Sequence, residues 1–156
     1  NDDDKWMHIA INEANLAINE NEVPVGAALV FDGKLIAKAH NQPIALNDPT
    51  AHAEIQLLRS ACKITKNYRQ LNTTMYVTLE PCAMCLGAMV HARIKRLVFG
   101  AYDYKSGVCG SCANLANEKF FNHKILIEGG FLENQCSSIL RNFFKLRRSN
   151  IHTNST

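Results

Sequence analysis

Proline and glycine are scarce, at 4 and 8 of 156 residues, and no Ser/Pro/Gly-rich stretch interrupts the chain. That excludes collagen-like and low-complexity assemblies and leaves no linker along which to divide the chain. Long apolar runs are missing too. The longest uncharged stretch near the middle, Pro81 to Ala92, is broken by His91 and falls well short of the ~20 apolar residues a bilayer-spanning helix needs, so no membrane span is expected. Charge of one sign is not dominant: 17 basic against 14 acidic residues leave +3, which permits a nucleic-acid partner without demanding one. Six unevenly placed cysteines do not make a secreted disulfide scaffold. The start, Asn1-Asp2-Asp3-Asp4-Lys5, is acidic where a secretory leader is basic and then apolar, and a chain opening on Asn is read as lacking its first residues. A reducing, cytoplasmic setting follows, where cysteines serve as metal ligands or core residues. What remains, 47% hydrophobic and 20% charged, suits one core and one domain over residues 1–156.

The period of the apolar residues changes along the chain. Lys5 to Asn19 carries Trp6, Ile9 and Leu16 at helical spacing. Val25 to Ala39 reads as a hairpin, because Asp32-Gly33 between apolar runs supplies two positions that tolerate φ > 0. A polar loop through Asn41, Pro43, Asn47 and Asp48 leads into a helix over about Ala51–Cys62. Met75–Leu79 is β-branched and apolar, Pro81 opens a helix to about Arg93, and Arg96–Ala101 is the next strand. Asp103–Asn122 is loop-like, Lys124–Ile127 a short strand, and Glu133–Arg148 a closing helix. Strands alternating with helices behind an opening hairpin predict an α/β sandwich on a mixed sheet.

Two short segments carry chemistry: Thr50-Ala51-His52-Ala53-Glu54 and Glu80-Pro81-Cys82-Ala83-Met84-Cys85, each at a helix start. Cys82 and Cys85, three apart on a helix, lie within about 60° around its axis. First-turn N–H groups and the macrodipole favour thiolate there, which is the form zinc binds. His52 makes a third ligand, and three protein ligands leave the fourth tetrahedral position to water, the arrangement of a catalytic zinc. Zinc lowers the pKa of that water to about 7. Glu54, two residues past His52, is the candidate proton shuttle for water, ring nitrogen and leaving amine. Singly, each residue has an ordinary structural reading: His52 satisfied by backbone, Glu54 a first-turn carboxylate, the cysteines small core residues. Together they hold every part of one mechanism. A rival uses the second C-x-x-C, Cys109-Gly-Ser-Cys112, to close a four-cysteine zinc ribbon with Cys82 and Cys85. It leaves His52 and Glu54 without a role and sets ribbon ligands on a helix. The alternative for Cys109 and Cys112 is free loop thiols, with Cys62 and Cys136 at helix core positions.

The H-x-E…P-C-x-x-C pattern resembles the cytidine-deaminase-like superfamily of zinc-dependent nucleobase deaminases. Glu22-Val-Pro-Val-Gly-Ala, Asp48-Pro-Thr-Ala-His-Ala-Glu-Ile, Tyr76-Val-Thr-Leu-Glu-Pro-Cys-Ala-Met-Cys, Val98-Phe-Gly-Ala and the tail Phe143-Phe-Lys-Leu-Arg-Arg extend the likeness over nearly the whole chain, toward its tRNA-adenosine branch. The resemblance implies a three-layer α/β/α sandwich with a central mixed five-stranded sheet. It implies hydrolytic deamination of adenosine to inosine at the wobble position of a tRNA anticodon, chiefly an arginine tRNA, by a homodimer with one zinc ion per subunit. On the matching positions, His52, Cys82 and Cys85 would hold zinc and Glu54 would shuttle protons. Asn41 would bond the flipped nucleotide with the Ala53 amide near the base, and Asp103 would accept from a flanking ribose 2′-OH. Phe144, Arg147 and Arg148 would contact RNA through stacking and charge, with one of Phe143 and Phe144 in the core. Lys63, Lys66, Arg69, Arg93, Lys95 and Arg96 add further positive patches, and Tyr102, Tyr104 and the Cys109/Cys112 pair depart from the branch's pattern.

Overall fold

The computed structural model describes residues 2–153, with side chains placed through Asn150, so Asn1 and residues 154–156 at the ends of the expected domain lie outside the described residues. The order is α1 (Asp3–Asn19), β1 (Gly26–Phe31), β2 (Lys34–His40), α2 (Pro43–Leu46), α3 (Ala53–Thr65), β3 (Thr73–Leu79), α4 (Ala83–His91), β4 (Arg96–Ala101), a 3₁₀ turn (Leu115–Asn117), β5 (Leu126–Glu128) and α5 (Glu133–Thr153). The strands form one sheet in the order β2-β1-β3-β4-β5. β1 is antiparallel to β2 and β3, whereas β3, β4 and β5 run parallel. This is the expected mixed five-stranded sheet.

Successive residues of a strand point to opposite faces, and the register shows what each face meets. The cross-strand row Leu29–Met75–Leu97 packs with Leu57 and Leu58 of α3 and Leu86 and Met89 of α4. The next row, Ala28–Tyr76–Val98, packs with Trp6, Met7 and Ala10 of α1 and Cys136 of α5. The layers are therefore α1/α5, sheet, α3/α4. Burial on both faces is why β1, β3 and β4 read as continuous apolar runs. Each fully buried Leu or Met side chain contributes about 1.5–3 kcal/mol.

Local chemistry explains the joints. Asp32 and Gly33 have φ of 49° and 70°, the two left-handed positions the hairpin turn needs. A Cβ on Gly26 would stand 1.9 Å from the Ala10 carbonyl oxygen, so only glycine lets α1 lie this close to β1. The start of α1 is tied down by Asp3, which accepts from Arg96 at 2.9 and 2.7 Å and from the Tyr76 hydroxyl at 2.5 Å. Arg96 also donates to Glu128, so it belongs to an internal ion network and not to a free positive patch.

Several expected boundaries move. α3 and α4 begin at Ala53 and Ala83, because His52 and Cys82 are extended N-cap residues and not first-turn ones. The polar loop after β2 contains the one-turn α2, started by Pro43, whose Ile44 and Ala45 amides donate to the buried Glu22 carboxyl at 3.2 and 2.8 Å. Cys136 is buried as expected, but Cys62 is only half-buried, its thiol 3.7 Å from the Tyr68 carbonyl.

Candidate active site

The carboxyl ends of β3 and β4 and the start of antiparallel β1 lie at one edge of the sheet, the usual ligand edge of an α/β fold. Loops leaving that edge enclose a cavity of about 230 Å³ lined by Val23, Asn41, His52, Glu54, Glu80, Cys82 and Asp103, among others. The N-termini of α3 and α4 point into it from the same layer.

N-cap side chains usually cap their own helix. Here neither His52 nor Cys82 does so. Their side chains turn to each other instead: His52 Nδ1 is 3.6 Å from Cys82 Sγ and 3.5 Å from Cys85 Sγ. An ion bound tetrahedrally at about 2.3 Å from sulfur and 2.0–2.1 Å from nitrogen separates such donors by about 3.5–3.6 Å. One nitrogen and two sulfurs at this spacing fit zinc in both geometry and softness. All three donor atoms lie within 4.8 Å of one another, and no other group of three or more His, Cys, Asp or Glu is so placed among the described residues. Cys109 and Cys112 stay outside this group, which removes the four-cysteine ribbon. Cys109 is buried behind the site, and Cys112 is exposed in the loop.

The electrostatics are those of two helix starts closing on a buried carboxyl. Cys82 is held down to about 4 by the Cys85 hydrogen bond and, more weakly, by His52, against the cost of burial. Cys85, as the donor to Cys82 and itself buried, is pushed up. The bond to Cys82 raises His52 against desolvation. Burial raises Glu54 to about 7, the Cys82 charge adds to that, and hydrogen bonds from its own amide and from Cys85 oppose it. Glu54 is 4% exposed.

Asn41 and Ala53 are brought together: Asn41 Oδ1 accepts from the Ala53 amide at 3.0 Å. The first-turn amide expected near a base is therefore already engaged by Asn41. Asp103 lines the cavity, with Oδ1 accepting from the Lys105 and Ser106 amides at 3.0 and 3.2 Å. Phe143 is buried and Phe144 exposed, as the split of that pair required. Phe144 and Arg148 line one groove, whereas Arg147 stacks on Phe143 at 5.3 Å, so the arginine pair is not delivered as a unit.

Two residues that shape the site stand inside the quoted motifs without a role assigned to them there. Glu80 is 2% exposed, and its carboxyl accepts from the amides of Asp103 (3.0 Å), Cys109 (2.9 Å) and Ser111 (3.1 Å). A Cβ on Gly107 would stand 2.3 Å from that carboxyl carbon, so the loop wraps it tightly. Glu22 does the same for the loop after Asn41. A Glu sitting between the apolar strand Met75–Leu79 and Pro81 is a visible signal, but its partners lie 23 to 31 positions away.

Sheet order, helix layers and the paired helix starts define a deaminase of the cytidine-deaminase-like fold. Residues 1–148 match the MafB19-like deaminase family. The tRNA-specific adenosine deaminase of Haemophilus influenzae is 49% identical, over 94% of this chain and 85% of that protein. The one from Bacillus subtilis is 44% identical, over 92% and 89%. A solved structure from studies of A-to-I editing by tRNA:A34 deaminases superposes with a TM-score of 0.85 at 41% identity, over 87% of this chain and 99% of that one. The chain belongs to the tRNA-specific adenosine deaminase family.

Proposed function

We propose that this protein deaminates adenosine to inosine at the wobble position of a tRNA anticodon, chiefly in an arginine tRNA, releasing ammonia. It does so as one domain per subunit of a cytoplasmic homodimer, with one zinc ion in each subunit. The observation that carries this reading is the His52/Cys82/Cys85 trio beside Glu54 on a single cavity, in a chain 49% identical to an adenosine deaminase over most of its length.

His52, Cys82 and Cys85 hold the zinc. When bound, zinc supplies Lewis-acid activation of water near neutral pH. Glu54, fixed in the first turn of α3 and lining the same cavity, takes a proton from water at a carboxyl oxygen and passes it to the purine ring nitrogen. The water oxygen bonds C6 as that proton arrives. Glu54 next takes the second proton, from the new C6 hydroxyl, and gives it to the amino group. The C6–N bond then breaks, ammonia leaves and the C6 carbonyl of inosine forms. Asn41, its Oδ1 engaged by Ala53, offers its carboxamide N–H to the nucleotide, and that pairing in turn holds the Ala53 amide at the cavity. Asp103 keeps one oxygen for its own loop and presents the other to a ribose 2′-OH. Phe144 and Arg148 receive the flanking strand, and Arg147 adds charge beside it. For the homodimer, an apolar hollow of about 380 Å³ between α3 and α4, lined by Ile55, Leu58, Cys62, Tyr68 and Ala88, offers a face for a second copy.

The test is inosine formation on a synthetic arginine anticodon stem-loop, with and without a zinc chelator, beside ammonia release from free guanine and cytosine. Turnover of the stem-loop that stops on chelation is expected. Guanine turnover with an inert stem-loop overturns the reading.

A further inference from the structure

We propose that Tyr104 is a stacking platform for an unpaired nucleobase next to the reacting adenosine, a subsite resting on the tRNA reading above. Three rings lead out of the core in order. Phe99, 1% exposed, meets Tyr102 edge-on at 5.1 Å, and Tyr102 stacks on Tyr104 at 6.3 Å with 28° between planes. The series ends in open solvent, since Tyr104 is 77% exposed. The outermost ring therefore presents an apolar face to solvent, backed by two further rings, on which a flat partner can stack.

Its position says what covers it. Tyr104 lines a hollow of about 430 Å³ with Tyr102, Leu140, Phe144 and Lys105. That hollow shares Val23, Leu79, Asp103 and Ser106 with the Glu54 cavity, so the two adjoin. On its other side, Lys105 and Phe144 also line a groove of about 600 Å³ that carries Arg141, Lys145 and Arg148. An occupant must therefore be flat and apolar-faced, joined to the group in the catalytic cavity, and followed by negative charge. A flanking nucleotide of the same strand meets all three demands: base on Tyr104, phosphate toward the cations. The platform is preset, because Asp103 Oδ1 accepts the Lys105 and Ser106 amides and the Asp103 amide is held by Glu80. Little ordering cost then falls on binding. Stacking needs only a π-face, so the subsite senses the presence of a base more than its identity.

The test is a double-mutant cycle on kcat/KM with the zinc-loaded protein. Substrates are the stem-loop and two versions with an abasic nucleotide 5′ or 3′ of the target adenosine. Tyr104→Ala is expected to lower kcat/KM on the intact loop by about 5- to 100-fold, the range for loss of one base–aromatic stack. Tyr104→Phe stays within about twofold of the parent. One of the two abasic loops costs the parent a similar factor, and on that loop Tyr104→Ala adds no further loss. A Tyr104→Ala variant as active as the parent on the intact loop, or losses that multiply on both abasic loops, overturns the proposal. A parent protein inert on every stem-loop overturns the tRNA reading and this inference with it, whereas an active parent with an indifferent Tyr104 sinks the inference alone. Zinc content and unfolding midpoint of both variants stay at the parent's, since the ring is exposed.

Discussion

The two ends of the cavity are built on different principles. The inner end, with His52, Glu54, Cys82 and Cys85, comes from two helix starts packed in one layer, each contributing two residues close together in the chain. The outer end, with Asp103, Tyr104 and Phe144, comes from a loop after β4 and from α5, which meet only because the sheet holds them together. The loop itself is shaped by one buried carboxyl, Glu80, which sits at the boundary between the ends. Chemistry is thus placed on rigid, local geometry. The proposed recognition residues stand on a surface loop and a helix that can vary without moving the candidate donors.

Three experiments can break or sharpen that contrast. The largest effect is expected at the inner end. Glu54→Ala should lower the rate about 100-fold or more while zinc content and RNA affinity persist, because a positioned acid–base group acts in the transition state and not in holding the strand. Single-turnover kinetics beside metal analysis checks this, and an unimpaired rate removes Glu54 from the mechanism. In the same assay Cys82→Ser should lose the metal, whereas Cys109→Ser with Cys112→Ser should keep it.

A smaller effect is expected at the boundary. Glu80→Gln sets an N–H group against backbone donors and should cost about 1–3 kcal/mol in denaturant unfolding, the penalty for an unpaired buried polar group. Zinc content should survive, since the bonds lost go to the outer loop. Joint loss of metal would mean that the two ends are one unit and would void the comparison.

The smallest effect is a difference in labelling rate. Burial pushes the Cys109 and Cys136 thiols up to about 12, with the nearby Glu80 adding to the effect at Cys109. At pH 8 both remain protonated, and thiolate is the reactive form. Exposed Cys112 should therefore be alkylated well before either, as mass spectrometry of the zinc-loaded protein can time. Equal rates at Cys109 and Cys112 would show that the outer loop opens as a whole.

Much of the fold and of the inner site is legible in the amino-acid sequence. The hairpin turn at Asp32-Gly33, the three central apolar strands and the two helix starts follow from period and turn chemistry, which are local. The exact helix starts are not legible, because extended φ/ψ at His52 and Cys82 leaves the residue type unchanged while moving the boundary by one or two positions. Arg96 reads as surface charge, yet it bridges Asp3 and Glu128, which lie 93 and 32 positions away. Glu22 and Glu80 read as ordinary acidic residues, since burial of a carboxyl shows only once the amides that satisfy it are in place.

Residue order by itself pointed to the candidate donors and the candidate proton carrier, because an i, i+3 spacing sets Cys82 and Cys85 on one side of a helix start and H-x-E sets Glu54 in the turn that His52 opens. Tertiary structure alone decided that the two starts meet at 3.5–3.6 Å, that Phe143 goes inward and Phe144 outward, and that Tyr104 borders the catalytic cavity. Those are distances between segments far apart in the chain, set by packing two helix layers on a twisted sheet, and no local period encodes them.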